Sequence, residues 1–262
     1  MKVGVLGFGA IGARVARELV DGAVPGAQLV GVHTRTPGAP RRNGLEELSE
    51  ADLLSRADLV VEAAGVEAAT MIGPRVISAG KDLLLTSVGA LADPCVRRSL
   101  LGEGPGRTFL TSGAIGGLDV LAAAARAGGI DTASLTTTKT PSAIIGPWLE
   151  ESVQRRILRT EGPMTVFEGT VHDAIEQFPA SLNVAVALAA ATGLWEHTTV
   201  RFIADPGAAL THHEIAASGA AGEYRFSIQN APEPDNPASS GVVADAVLIG
   251  IATLAGESGS IV

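Results

Sequence analysis

Cysteine, aromatic residues and basic charge are all scarce in this 262-residue sequence. The single cysteine, Cys95, excludes an internal disulfide and is typical of a reducing compartment, so we expect a cytoplasmic protein. Nineteen basic against 28 acidic residues give a net charge of −9, which argues against nucleic acid and anionic membranes as partners. Because aromatics make up only 3%, the core must be built from Ala, Val, Leu and Ile.

Targeting, membrane and metal signals are also missing. Met1 leads directly into a predicted strand, so no signal peptide is expected. The longest apolar run, residues 242–254, contains Asp245 and Gly250 and is better explained as a packed helix than as a membrane span. No H-x-x-x-H, C-x-x-C or Asp/His spacing predicts a metal site, and no G-x-S-x-G motif predicts a nucleophilic serine.

The most informative segment present is a G-F-G-A-I-G stretch between the first predicted strand and a predicted helix. A G-x-G-x-x-G loop in that position is typical of a Rossmann dinucleotide-binding unit. Gly7 would make the tight turn, Gly9 would let the backbone approach a pyrophosphate, and Gly12 would let the helix pack on the strand. The N-terminus of the helix, with Ala10 and Ile11, would offer N–H groups to the phosphates. The alternative is a glycine-rich turn without a ligand.

The tip of the second predicted strand bears on the choice of dinucleotide. A carboxylate there would hold ribose hydroxyls and repel a 2′-phosphate. This chain has no acid at the tip and instead carries Thr34 and Arg35, which can hydrogen-bond a 2′-phosphate. We therefore predict NADP(H) as the cofactor, with NAD(H) also accepted. The alternative is an Arg35 side chain that is simply solvated at the strand end.

Alternating strand and helix patterns over residues 1–111 predict an α/β dinucleotide-binding domain with a parallel sheet. Cofactor and substrate are expected to meet at the carboxyl ends of its strands. A break or restart is expected where Pro74 interrupts a helical pattern. Strands are expected at residues 2–6, 28–33, 59–64, 82–87 and 108–111, and helices at 14–19, 45–54 and 67–79.

The pattern changes after residue 111, where strands rich in threonine and valine begin. They predict a second, α+β domain over residues 112–235, built on a mostly antiparallel sheet and carrying the substrate site. Residues 232–237 are expected to be a linker, and the C-terminal segment 236–262, with a helix at about 239–254, is expected to pack back on the first domain. Other strands are expected at 134–138, 164–169, 198–204 and 223–228, and helices at 118–127 and 184–191.

His212 and His213 are the only adjacent histidines in the chain. An imidazole, with an ordinary pKa of about 6.5, suits proton transfer beside a hydride acceptor. In an extended segment neighbouring side chains point to opposite faces, so at most one of the two rings can face a nicotinamide. The alternative is a surface turn with solvated rings.

Taken together, these segments resemble the L-aspartate dehydrogenase family over nearly the whole chain. The most specific matches are the G-A-I-G-G-L-D, F-P…N-V-A and D-P…H patterns. The matching segments are residues 7–12, 60–64, 87–93, 112–119, 167–169, 178–179, 183–185, 204–213 and 236–237.

The resemblance implies an oxidoreductase that interconverts L-aspartate and iminoaspartate, or oxaloacetate plus ammonia, with NAD(P)(H). Carried over by position, the family's catalytic histidine is His213, and its cofactor contacts near the nicotinamide are Ala114 and Asn183. Family members often have asparagine where this chain has Ser181 and Thr211. These two differences bear on substrate preference or rate more than on reaction type.

Other residues complete the predicted site. A small dicarboxylate amino or imino acid needs donors, and Lys139 is the first candidate because the family has a similar basic residue in this stretch. The alternative is a solvated lysine at a strand end. Ala63 and Ala64 are candidates for cofactor contact. Weaker candidates for substrate contact are the backbone N–H groups of Gly116 and Gly117 and the side chain of His212.

Two other functions remain open. A reductase similar to dihydrodipicolinate reductase also has a His-His pair, but it would need a lysine and a D-A-P-S-G-T-like loop where residues 216–222 have a different sequence. A catalytically silent NADP(H)-binding protein on the same fold is disfavoured by His213, Asn183 and the glycine loop. A homodimer is expected, since an antiparallel sheet in a second domain commonly supports dimerisation.

Overall fold

The structure is a computed structural model that describes residues 1–102, 104–179, 181–233 and 236–258. It divides into two units, Met1–Gly113 with Val243–Val262, and Ala114–Val242. The second boundary falls later than the expected one because residues 236–240 form a strand and do not begin the last helix. Residues 259–262, which were assigned to the C-terminal segment, lie outside the described part of the chain.

The first unit is built around a five-stranded parallel sheet with the order β2-β1-β3-β4-β5, which confirms the predicted Rossmann-type domain. The strand order reverses between β1 and β3, and ligands of such sheets bind at that point, beyond the carboxyl ends of the strands. The strands are β1 (Lys2–Leu6), β2 (Gln28–His33), β3 (Leu59–Glu62), β4 (Asp82–Leu85) and β5 (Thr108–Leu110).

Within the described residues of the first unit, five helices connect these strands. They are α1 (Ala10–Val20), α2 (Ala39–Arg42), α3 (Glu50–Arg56), α4 (Val66–Ser78) and α5 (Pro94–Leu101). Sequence patterns missed α5, although Asp93 caps it by accepting hydrogen bonds from two backbone N–H groups of its first turn. A 3₁₀ turn, Val88–Ala92, precedes it.

Two helix predictions in this unit were wrong. The helix expected at 45–54 begins only at Glu50, after the N-cap Ser49, because the preceding residues pair with β2: Leu48 donates its N–H to the carbonyl oxygen of Val32 at 2.8 Å. The break expected at Pro74 does not occur, and α4 runs through it. A proline inside a helix removes one hydrogen bond, and here the packing of α4 against the sheet and α5 outweighs that loss.

A mixed five-stranded sheet forms the second unit, with the order β10-β9-β6-β8-β7. Its neighbouring pairs are antiparallel except for β6 with β8, which confirms the mostly antiparallel sheet. Strand β9, which carries the histidine pair, was not among the expected strands, and the surface-turn alternative is wrong. The strands are β6 (Thr132–Lys139), β7 (Met164–Thr170), β8 (Thr198–Ala204), β9 (Thr211–Gly219) and β10 (Gly222–Asn230).

Helices cover one face of this second sheet. Helix α9 is apolar and buried along most of its length, and it packs on β6 and β8. The helices are α6 (Leu118–Arg126), α7 (Glu151–Leu158), α8 (Val171–Gln177) and α9 (Asn183–Thr192), with a 3₁₀ turn at Pro141–Ala143. The linker expected at 232–237 is wrong in its described part, because β11 (Pro232–Glu233) pairs with β12 (Asn236–Ser240). Residues 234 and 235 of that linker lie outside the described residues.

The last helix, α10 (Val243–Leu254), belongs to the first unit. It starts four residues after the expected position of 239, since the strand β12 occupies residues 236–240. It packs on α1, where Arg14 Nη2 lies 2.6 Å from Asp245 Oδ1. Among the described residues, none of the helices combines the length and the hydrophobicity that a membrane span requires.

Candidate active site

The glycine loop after β1 has the close backbone packing that its sequence predicts. Gly7 has φ +104°, and a Cβ atom there would overlap the backbone of Ala63 and Ala64 in the loop after β3. A Cβ atom on Gly12 would overlap the carbonyl group of Gly7. Both glycines are therefore required for β1, α1 and the β3–α4 loop to approach one another.

Gly9 meets a different requirement. A Cβ atom at this position would have no other atom within 4 Å, so the backbone faces open space. Gly9 is also the N-cap of α1, and no side chain caps this helix end. The first N–H groups of α1, including those of Ala10 and Ile11, are therefore available to an anion. A loop with these properties fits the pyrophosphate of a dinucleotide.

A cavity of about 560 Å³ lies beside this loop in the first unit. The structure brings six of the predicted cofactor residues to its wall: Gly7, Gly9, Thr34, Arg35, Ala63 and Ala64. One wall comes from α4 and was missed by sequence reasoning, because nothing in the local pattern of α4 marks it as part of a cavity wall. Its lining residues are Glu67, Ala68, Met71, Ile72 and Arg75.

Arg35 does not stand alone at the tip of β2. Its Nη1 atom lies 3.0 Å from Glu67 Oε2, and the two side chains are 80% and 73% exposed. Thr34 Oγ1 accepts a 3.3 Å hydrogen bond from the backbone N–H of Thr36. The tip of β2 has no carboxylate, as the sequence shows, but the cavity contains the carboxylate of Glu67 from α4.

Glu62, at the carboxyl end of β3, is fully buried. Its Oε1 accepts hydrogen bonds from the backbone N–H groups of Ala64 at 2.7 Å and Gly65 at 3.0 Å, and from Ser87 Oγ at 2.9 Å. Its Oε2 accepts one from the backbone N–H of Ser87 at 2.9 Å. Burial raises the pKa of Glu62, and these four donors act in the opposite direction. One carboxylate thus holds the loops after β3 and β4, including the alanines that line the cavity.

In the second unit, the two histidine side chains lie on opposite faces of the sheet. His213 is 1% exposed, and its Nδ1 atom lies 2.9 Å from Oγ1 of Thr137, the residue paired with it on β6. His212 Nε2 lies 2.8 Å from Ser227 Oγ on the more exposed side. Because Nδ1 of His213 is engaged with Thr137, Nε2 is the atom that can exchange a proton with a ligand.

Lys139 lies on the same buried side of β6 as Thr137 and is 4% exposed, so the alternative of a solvated lysine is wrong. Burial lowers the pKa of Lys139 to about 8. Burial and, to a smaller extent, the charges of Lys139 and His212 together lower the pKa of His213 to about 3. At neutral pH the imidazole of His213 is therefore neutral, and the amine of Lys139 is largely protonated.

The two positions that differ from the family pattern are both buried. Thr211 lies two residues before His213 on the same side of β9. Ser181, just before α9, is 7% exposed, and its Oγ is the single buried side-chain oxygen or nitrogen without a hydrogen-bond partner among the described residues. A buried hydroxyl without a partner is costly, so it marks a position where a polar ligand group would be stabilised. Asn183 begins α9 two residues later.

Packing explains part of the turn before α6. Gly117 has φ +78°, and the ring of Phe226 fills the position that its Cβ atom would take. The carbonyl oxygen of Ala114 accepts a 2.7 Å hydrogen bond from Asn230 Nδ2. The substrate contact expected of Gly116 and Gly117 and the cofactor contact expected of Ala114 stay predictions.

One group of possible metal ligands is present among the described residues. His172, Asp173 and Glu176 each bring one ligand atom within 4.8 Å of the others. All three side chains are exposed, and exposed acidic groups of this kind are common without an ion.

A nucleotide-binding unit of this type, joined to a unit that carries a buried histidine and lysine, defines a class of protein, the NAD(P)-dependent oxidoreductases with two domains. Comparison with known proteins narrows the class. The model of the aspartate dehydrogenase C-terminal domain matches residues 119–254, and that of the homoserine dehydrogenase NAD-binding domain matches residues 7–104. The chain belongs to the aspartate dehydrogenase family, as its sequence motifs predicted, and NAD(P)(H) is its cofactor.

Individual relatives match over almost their full length. The L-aspartate dehydrogenase of Methanocaldococcus jannaschii is 36% identical, over 93% of this chain and 93% of that protein. That of Ruegeria pomeroyi is 38% identical, over 95% of this chain and 90% of that protein. The crystal structure of aspartate dehydrogenase from Thermotoga maritima has a TM-score of 0.78 at 27% identity and covers 100% of this chain and 99% of its own.

Proposed function

We propose that the protein is an L-aspartate dehydrogenase that interconverts L-aspartate and iminoaspartate, or oxaloacetate plus ammonia. The observation that carries this proposal is the buried pair of His213 and Lys139 on one side of the second sheet, in a chain that belongs to the aspartate dehydrogenase family. A cation and a neutral base in a dry environment are what a dicarboxylate with a reacting nitrogen requires.

In the proposed mechanism the nicotinamide, when bound, supplies or accepts the hydride. Nε2 of His213 exchanges the proton of the substrate nitrogen, or takes one from the water that hydrolyses the imine. Thr137 orients the ring through Nδ1. The ammonium group of Lys139 binds a substrate carboxylate. Because this carboxylate offsets the charge of Lys139, substrate binding removes that smaller contribution and raises the pKa of His213, while burial, the larger cause of its lowered pKa, stays in place.

Oxidation of NADPH and NADH in the presence of oxaloacetate plus ammonia tests the proposed function. Turnover that requires both substrates is expected, and the control with oxaloacetate alone is expected to be inactive. A second control replaces oxaloacetate with dihydrodipicolinate, the substrate of the rival reductase. Absence of turnover with oxaloacetate and ammonia at every pH from neutral to alkaline would contradict the proposal and favour a catalytically silent binding protein.

We further propose that NADP(H) binds at least as well as NAD(H), with Thr34 and Arg35 on the adenosine 2′-phosphate. Replacing Arg35 with Asp is expected to weaken NADPH binding by about 1–3 kcal/mol, the scale of a lost charge-assisted hydrogen bond plus new repulsion. The dissociation constant is measured from the fluorescence of bound NADPH. Arg41→Asp is the matched control, because Arg41 is similarly exposed and paired with Glu47 but does not line the cavity. Equal NADPH affinity in Arg35→Asp and wild type would show that Arg35 is not the phosphate partner.

The homodimer and the cytoplasmic location expected from the sequence stay predictions. The proposed dimer would use the side of the second sheet opposite His213, where small or polar side chains, among them Ser134, Thr136, Glu214 and Ala216, are partly or fully exposed. Sedimentation of the purified chain measures the oligomeric state directly.

A further inference from the structure

Two oppositely charged side chains meet in the cofactor cavity from different elements. Arg35 comes from the segment after β2, and Glu67 comes from the first turn of α4. Both line the cavity, and Arg35 Nη1 lies 3.0 Å from Glu67 Oε2. Since both side chains are largely exposed, the ion pair itself contributes little to stability. Replacing Glu67 by a ligand group as the partner of Arg35 therefore costs little free energy.

This pair affects the two dinucleotides in opposite ways. A 2′-phosphate that binds Arg35 must compete with Glu67 for the guanidinium group, and it also brings negative charge close to the carboxylate. A ribose 2′-hydroxyl, in contrast, can donate a hydrogen bond to a carboxylate, which is the role that an acid at the strand tip has in NAD-binding proteins. Glu67 therefore disfavours the phosphate and favours the hydroxyl.

We propose that Glu67 is a residue that determines cofactor specificity, supplying from α4 the carboxylate that the tip of β2 lacks. Arg35 favours NADP(H), and Glu67 limits that preference, so the same cavity accepts NAD(H). This inference rests on the assignment of the cavity to the dinucleotide and goes beyond it by naming the group that opposes Arg35.

The chain offers a matched control for the loss of an acidic partner. Arg75 also lines the cavity, and its Nη1 atom lies 3.0 Å from Oε1 of Glu50 on α3. Glu50 is not among the lining residues. Glu50→Gln thus frees an arginine of the same cavity and removes one negative charge, but it removes no carboxylate from the cavity wall.

The experiment compares dissociation constants of NADPH and NADH, measured by fluorescence titration, for wild type, Glu67→Gln and Glu50→Gln. In Glu67→Gln, NADPH is expected to bind about fivefold more tightly, the scale of one exposed charge interaction, and NADH is expected to bind no better than to wild type. In Glu50→Gln the ratio of the two constants is expected to change less than twofold. Thermal unfolding midpoints close to that of wild type are expected for both variants.

An unchanged ratio of the two constants in Glu67→Gln would overturn the proposal. A change of the same size in this ratio in Glu50→Gln would also overturn the proposal, because the loss of any negative charge near the cavity would then have the same effect. Failure of the proposed aspartate dehydrogenase activity is a separate result, since the dissociation constants are measured without turnover. Wild type that binds neither dinucleotide would remove the cofactor assignment together with the role of Glu67.

Discussion

Replacing His213 with alanine is expected to lower kcat by about 10²–10⁴-fold, the contribution of a positioned acid or base. The affinity for NADPH is expected to stay nearly constant, because His213 is not among the residues that line the dinucleotide cavity of the first unit. The physical reason is the burial of the ring and its hydrogen bond to Thr137, which leave Nε2 for proton exchange. Steady-state kinetics and NADPH fluorescence titration measure the two quantities separately.

Two further variants control this result. His212→Ala is expected to cost less than about one power of ten in kcat, because its ring lies on the other side of the sheet against Ser227. His213→Gln keeps a side chain of similar size that can still bond Thr137, and it is expected to lose as much activity as alanine. If His212→Ala loses much activity and His213→Ala loses little, the family's catalytic histidine corresponds to His212 and not to His213. Near-full activity in all of them would move the proton transfer to Lys139 or to water.

Sequence patterns predict the structure correctly where local packing and chemistry agree. In the first unit they do: apolar strands alternate with helices, and Gly7 and Gly12 are required by backbone contacts within one β-α-β segment. Strand β9 was missed because its buried positions include Thr211 and His213, so the usual rule of apolar residues inside and polar residues outside is broken. Such exceptions are expected where buried positions serve function.

Local sequence patterns do not predict contacts between residues that are distant in sequence. The ion pair of Arg35 with Glu67 spans 32 positions and joins the segment after β2 to the first turn of α4. The hydrogen bonds of Glu62 to Ser87 span 25 positions. An acid at the end of an otherwise apolar strand was visible in the sequence, but only the structure shows that it binds two loops together.

Replacing Lys139 with methionine is expected to weaken the binding of a dicarboxylate by about 10- to 100-fold, since charge-assisted hydrogen bonds contribute about 1.5–3 kcal/mol. A dicarboxylate without an amino group, such as succinate, is the appropriate probe, because nothing in it titrates at alkaline pH. Its inhibition constant is measured against oxaloacetate between neutral and alkaline pH. Lys81→Met, a lysine replacement in the other unit, is the control and is expected to match wild type.

The pH dependence of that inhibition constant tests the role of Lys139 more sharply than the loss of affinity does. Burial lowers the pKa of Lys139 to about 8, so the side chain is a cation below that pH and becomes neutral above it. In wild type the inhibition constant is therefore expected to rise above pH about 8, up to about tenfold for each pH unit. Lys139→Met has no charge to lose, and its inhibition constant should be weak and flat over the same range. An alkaline rise of the same size in Lys139→Met would assign the titration to another group, and unchanged affinity in that variant would remove Lys139 from the carboxylate site.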